Sequence, residues 1–221
     1  MSEYKLSENN WTRIAVFAGG DRGHYRTDFD CFVGVDRGSL WVLEENLPLA
    51  LAVGDFDSVT EEERQVIQKR AQYFVQARPE KDDTDLELAL LTIFEQNPQA
   101  QVTIFGALGG RIDHMIGNIH ALKTCIERGI AAYIVDAQNR LSLLDGARTF
   151  SRETQWGKYV SFAPYTEEVT GITLTGFKYP LKDKTIYRGE EVGLCISNEI
   201  AEDTAAITLE EGILICIESH D

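Results

Sequence analysis

The chain has 221 residues, 43% of them hydrophobic and 26% charged, the balance of a globular protein with a real core and room for one large domain or two small ones. A formal net charge of −15 argues against a general nucleic-acid or anionic-membrane surface, but not against a phosphorylated small molecule held by a metal and a few local cations. No apolar run approaches the roughly 20 residues that span a bilayer, the start from Met1 to Trp11 is polar, and Cys31, Cys125, Cys195 and Cys216 show no Cys-x-x-Cys spacing. The expectation is a cytoplasmic protein with free, mostly buried thiols, no zinc or redox site, no nucleic-acid partner and no membrane partner.

Along the first part of the chain, short apolar runs closed by Gly or Asp alternate with helical patterns. Ile14–Ala18, Cys31–Val35, Leu49–Val53, Val102–Phe105 and Ala132–Val135 read as buried parallel strands. Ser58-Val59-Thr60-Glu61 reads as a capping box opening a helix to about Ala71. A second box, Thr84-Asp85-Leu86-Glu87, opens a helix whose Leu86, Ala89, Leu90, Ile93 and Phe94 share one face, and Pro98 limits it. A third helix spans about Asp113 to Arg128, with Met115, Ile116, Ile119 and Leu122 as apolar positions and Gly129 as its stop. This alternation predicts an α/β layer with a largely parallel sheet flanked by helices.

Near Asn139 the period changes. Leu141–Leu144, Tyr159–Ala163, Gly171–Thr175, Thr185–Arg188, Val192–Ser197, Ala206–Leu209 and Ile213–Glu218 are short β-type runs, with turns at Asp145-Gly146 and Arg188-Gly189. They predict a C-terminal all-β sandwich. The expected division is residues 1–138 as the α/β domain and 139–221 as the β domain.

Acidic segments stand where the apolar runs stop. Asp36 follows one strand, and Asp55 and Asp57 follow the next. Lys81, Asp82, Asp83, Thr84 and Asp85 lead into a helix. In open α/β sheets such ends converge on the ligand-binding edge. Grouped carboxylates there need a cation or a proton, because a desolvated charge is costly, and oxygen donors suit Mg²⁺. Taken singly, Asp57 or Ser58 is as well explained as a helix cap, and Thr84 with Asp85 as an N-cap and a dipole partner. Gly106 to Arg111 forms a glycine-rich strand-to-helix turn whose N–H groups suit phosphate oxygens, with Arg111 as a bidentate fork, though it matches neither Gly-x-Gly-x-x-Gly nor the Walker pattern. Asp113, His114 and Asn118 follow on the same helix, and Ser197-Asn198 closes a late β run.

Taken in order, Gly-Asp-Phe-Asp-Ser at 54–58, Lys-Asp-x-Thr-Asp-x-Glu-x-Ala-Leu at 81–90 and Gly-x-x-Gly-Gly-Arg-x-Asp-His at 106–114 closely resemble bacterial-type thiamine pyrophosphokinases, as do Val35-Asp36-Arg37-Gly38 and Ser197-Asn198. The resemblance implies a homodimer with active sites at the subunit interface. It also implies Mg²⁺-dependent transfer of the pyrophosphoryl group of ATP to thiamine, giving thiamine diphosphate and AMP. In that frame Asp55, Asp57 and Asp85 are the metal ligands. Asp36, Lys81, Thr84, Gly109, Gly110, Arg111 and His114 line the ATP site, and Asp57, Asp85, Arg111 and Asp113 are the catalytic set. Ser197 and Asn198 meet thiamine. The family's stacking aromatic has Trp156, Tyr159, Phe177 and Tyr179 as candidates. The competing reading is a metal-dependent nucleotide phosphohydrolase, or a kinase for another small alcohol, built from the same acids.

Overall fold

The computed structural model describes residues 11–77, 84–191 and 193–221. The chain divides into two compact units, Met1–Ala137 and Gln138–Asp221.

In the first unit the elements are β1 (Arg13–Phe17), β2 (Cys31–Val35), α1 (Gly38–Glu44), β3 (Leu49–Gly54), α2 (Glu61–Arg70), β4 (Tyr73–Gln76), α3 (Asp85–Gln96), β5 (Gln101–Phe105), α4 (Ile112–Ile126) and β6 (Ala132–Val135). The strands form one parallel sheet in the order β6-β5-β1-β2-β3-β4. Every residue of β2 and β3 is buried, as expected of parallel strands covered by helices. The chain order turns back at β1, between β2 and β5, and such a reversal opens a crevice at the carboxyl ends of the strands.

Each helix has a local cause. The α2 box is Thr60 with Glu63, not Ser58 with Glu61: Thr60 accepts the Glu63 N–H and Glu63 accepts the Thr60 N–H. Thr84 caps α3 by accepting the Glu87 N–H at 3.2 Å, and Leu86, Ala89, Leu90, Ile93 and Phe94 are all buried. In α4 the buried positions are Ala121, Leu122 and Cys125, whereas Ile112 and Ile116 are exposed. Helix α1 and edge strand β4 carried no sequence expectation: α1 has only seven residues and β4 four, too short for a period to register.

The second unit contains β7 (Asn139–Leu144), β8 (Arg148–Ser151), β9 (Tyr159–Pro164), β10 (Glu168–Thr175), β11 (Leu181–Tyr187), β12 (Asn198–Glu199), β13 (Thr204–Thr208) and β14 (Leu214–Ser219). Two antiparallel arrays, β12-β9-β14-β7 and β11-β10-β13-β8, close on one core of Phe150, Phe162, Ile172, Phe177, Ile207 and Leu214 with their neighbours. This is the expected sandwich, its faces joined by alternating inward side chains. One strand expectation fails. Of the run Val192–Ser197, Val192 lies outside the described residues and residues 193–197 form turns and bends, with Asn198–Glu199 paired in the sheet. Glu191 and Ser197 adopt positive φ, and Leu194 and Ile196 are exposed, so no continuous pleat exists to bury the run.

Candidate active site

The acids at the sheet edge are placed by backbone geometry. Asp36 follows β2 with φ +47°, and its N–H donates to the Val53 carbonyl at 2.9 Å. Its Oδ1 accepts the Phe56 N–H at 3.0 Å, tying the β2 end to the β3 turn. Gly54 makes this approach possible: a Cβ there would lie 1.9 Å from Asp36 Oδ1. Phe56, also at positive φ, is buried and stacks on Phe74 with centroids 4.7 Å apart. Asp55 Oδ1 accepts the Asp57 N–H at 3.0 Å.

Carboxylate oxygens of Asp36, Asp55 and Asp85 lie within 4.8 Å of one another, and all three residues are half-buried. Asp85 stands in the first turn of α3, where the helix dipole favours negative charge. Asp57 is exposed and outside the triad. Burial, then the charges of Asp85 and Asp55, push the Asp36 carboxyl up to about 7, against the opposing hydrogen bond from Phe56. Like charges so grouped in a low-dielectric setting favour a shared proton or a cation. Three converging hard oxygen donors fit Mg²⁺.

Beside this group, β5 leads into the glycine-rich turn. Gly20 N–H donates to the Gly106 carbonyl at 3.0 Å, and Asn118 Nδ2 donates to the Ala107 carbonyl at 2.9 Å. Gly109 and Gly110 hold φ of +81° and +67°, a conformation that side chains resist and that leaves the turn backbone open. Arg111 is exposed and grips Asp113 with Nε–Oδ1 at 3.1 Å and Nη2–Oδ2 at 2.6 Å. That hydrogen-bonded pair holds Asp113 down at about 2. An exposed pair of this kind contributes little to stability, so a polyphosphate can displace Asp113 from the guanidinium. His114 is exposed, and its N–H donates to Asp113. Arg37, part of the Val35-Asp36-Arg37-Gly38 segment, occupies the N-cap position of α1 without a side-chain capping bond, and its Nη1 donates to the Ser58 carbonyl at 3.4 Å. Lys81 lies outside the described residues.

In the second unit Ser197 is exposed at φ +55°. Asn198 is 2% exposed, and its amide bonds inward, not outward. Among the aromatic candidates, Phe177 is 4% exposed in the core against Phe150 and Phe162, which removes it from contact with a ligand. Trp156 packs on His220, Tyr159 bonds Lys158, and Tyr179 is 57% exposed beside Lys178.

Two family models match. Residues 23–134 match the thiamin pyrophosphokinase catalytic domain, and residues 148–214 match the thiamin pyrophosphokinase vitamin B1 binding domain. The thiamine pyrophosphokinase of Bacillus subtilis is 37% identical over 214 residues, covering 94% of this chain and 99% of that protein. Its crystal structure superposes with a TM-score of 0.82, covering 95% of this chain and all of that one, at 37% identity. A thiamin pyrophosphokinase family protein from Enterococcus faecalis gives 0.84 at 35% identity, with 95% of this chain and all of that one covered.

Proposed function

The chain belongs to the thiamin pyrophosphokinase family, and on that premise we propose how its residues divide the work. The protein is an ATP-dependent thiamine diphosphokinase: it transfers the pyrophosphoryl group of ATP to the hydroxyl of thiamine, giving thiamine diphosphate and AMP. The observation that carries the site assignment is the convergence of Asp36, Asp55 and Asp85 from three separate elements at the sheet edge. A calcium loop, by contrast, gathers its ligands within one segment.

These three acids would hold Mg²⁺, which when bound neutralises charge on the phosphates and on the leaving AMP. Asp57, exposed on the same turn, is assigned to the metal–ATP complex and not to the half-buried triad. Gly109 and Gly110 offer backbone N–H groups to phosphate oxygens. Arg111, released from Asp113, clamps the polyphosphate, and Lys81, Thr84 and His114 are assigned to the same ligand. Asp113 then has the further role of keeping the guanidinium extended and in register until ATP arrives. The reaction asks the protein mainly to align the thiamine hydroxyl with the β-phosphorus and to balance charge. The α/β domain, residues 1–138, takes ATP, and the β domain, residues 139–221, takes thiamine at the Ser197–Asn198 segment. The working form is a cytoplasmic homodimer with active sites at the subunit interface, for which light scattering is the test. Among the described residues no helix is long and apolar enough to cross a membrane.

The decisive assay follows AMP from ATP and Mg²⁺ with and without thiamine, with chromatography of thiamine diphosphate. AMP matched by thiamine diphosphate, and only when thiamine is present, is the expected result. AMP or ADP formed regardless of thiamine would replace this reading with a phosphohydrolase.

A further inference from the structure

The β unit holds a polar frame whose members do not face the same way. Asn198 Oδ1 accepts the N–H groups of Tyr179 and Glu199, each at 3.0 Å, and its Nδ2 donates to the Tyr179 carbonyl at 2.8 Å. Three of the four hydrogen bonds an asparagine amide can make are thus satisfied inside the fold, at a side chain only 2% exposed. Its neighbour Ser197 is exposed and held at φ +55°, a conformation that costs a non-glycine residue energy and persists only when the surroundings enforce it. The enforcing group is visible: Ser197 N–H donates to the hydroxyl of Ser161 at 2.9 Å, and Ser161 is 7% exposed on β9. Ser161 alternates with the core residues Val160 and Phe162, so its hydroxyl lies on the other face of β9, where a buried hydroxyl needs a partner. Here it takes up a backbone donor that the left-handed turn removes from the sheet ladder.

We propose that Ser161 and Asn198 are positioning residues that fix Ser197 in its left-handed turn, so that the Ser197 hydroxyl, and not the Asn198 amide, is the polar group offered to thiamine. The inference rests on the assignment of thiamine to the β unit. Thiamine's aminopyrimidine presents both donors and acceptors, and a hydroxyl that can do either is a fitting partner. The frame fixes the backbone that carries this hydroxyl, which lowers the ordering cost of binding.

A double-mutant cycle on the full-length enzyme tests this, with KM for thiamine, KM for ATP, kcat and thermal unfolding measured throughout. Ser161→Ala removes one hydrogen bond, should leave the unit folded by thermal unfolding, and should raise the thiamine KM roughly 3–10-fold, with kcat and the ATP KM unchanged. Ser161→Thr, which keeps the hydroxyl, should restore it. Ser197→Ala should raise the thiamine KM by a similar factor, and Ser161→Ala should then add less than about 2-fold on top, because the group it positions has gone. Asn198→Ala strips the Tyr179 backbone of its partners and can unfold the unit, so the Ser161 cycle decides. Fully additive KM effects of Ser161→Ala and Ser197→Ala, or a fall in kcat with the thiamine KM unmoved, would overturn the positioning role alone. A wild-type enzyme with no thiamine-dependent AMP would overturn the assigned activity and this inference with it.

Discussion

Replacing Asp36 by Asn should make the metal-free protein more stable while disabling it. The folded state raises the Asp36 carboxyl from an ordinary 3.8 to about 7, chiefly through burial and the Asp85 charge. At 1.36 kcal/mol for each pH unit, a shift of roughly three units is a burden of about 4 kcal/mol on the folded state once the group is ionised. That figure is a ceiling, because Asp36 is only half-buried and solvent screens its charge. The sign follows from proton counting. Between the two pKa values the folded state binds more protons than the unfolded one, so the cost from this group is absent below about pH 4 and grows as pH rises towards 7, where it is fully reached. Asparagine is nearly isosteric. Its Oδ1 can still accept the Phe56 N–H now bound at 3.0 Å, its amide can donate to Asp85, and it tolerates the φ of +47° held at this position. The assay is urea unfolding of wild type and D36N with EDTA at pH 8 and pH 5, repeated with saturating Mg²⁺. D36N should gain about 2–4 kcal/mol at pH 8 in EDTA and less at pH 5. Mg²⁺ should stabilise wild type and close the gap, since a ligand stabilises the state that binds it. Activity should fall at least about 100-fold, in line with the loss of a few kcal/mol of transition-state stabilisation. A D36N protein no more stable than wild type at pH 8 in EDTA would refute the claim that this carboxylate is held against its own electrostatics.

Two further substitutions probe neighbouring parts of the site. Gly54→Ala would set a Cβ 1.9 Å from Asp36 Oδ1. It should destabilise the α/β unit by about 1–3 kcal/mol, read by urea unfolding, and remove most turnover, because the clash can be relieved only by moving Asp36 out of the triad. Arg111→Lys keeps the charge but loses the planar fork that now grips Asp113 through Nε and Nη2. The ATP KM should rise roughly 10-fold, with thermal stability unchanged, because the exposed ion pair adds little to folding.

Much of this architecture is legible in the chain as written. Buried parallel strands announce themselves as short apolar runs ended by Gly or Asp, and α3 by a cap followed by five apolar positions on one face, all of which are buried. The cap of α2 was displaced by two residues because Ser58 and Thr60 are chemically equivalent candidates. The backbone at Thr60, extended with φ −73° and ψ 164°, supports the reciprocal bonds with Glu63. The run before Asn198 misled for a related reason. Its composition suits a strand, yet positive φ at Glu191 and Ser197 breaks the pleat, and apolar side chains left on the surface gain nothing from pairing.

By itself the sequence determined which chemistry was available: oxygen donors, a guanidinium and open glycine turns, in an order shared with the thiamin pyrophosphokinases, since local signals such as caps, periods and turns depend on near neighbours. Tertiary structure alone decided which of those groups meet. Asp36 joins Asp55 and Asp85 because β2 and β3 are adjacent in the sheet and Gly54 admits the contact. Asp57 is left in solvent, outside the triad, on the turn where the intervening Phe56 buries itself against Phe74. Asn198, a surface polar residue by composition, is consumed by a backbone 19 residues away. Carboxylates distant in sequence converge, and polar groups are satisfied, through burial and sheet order, and neither is a property of any short stretch of chain.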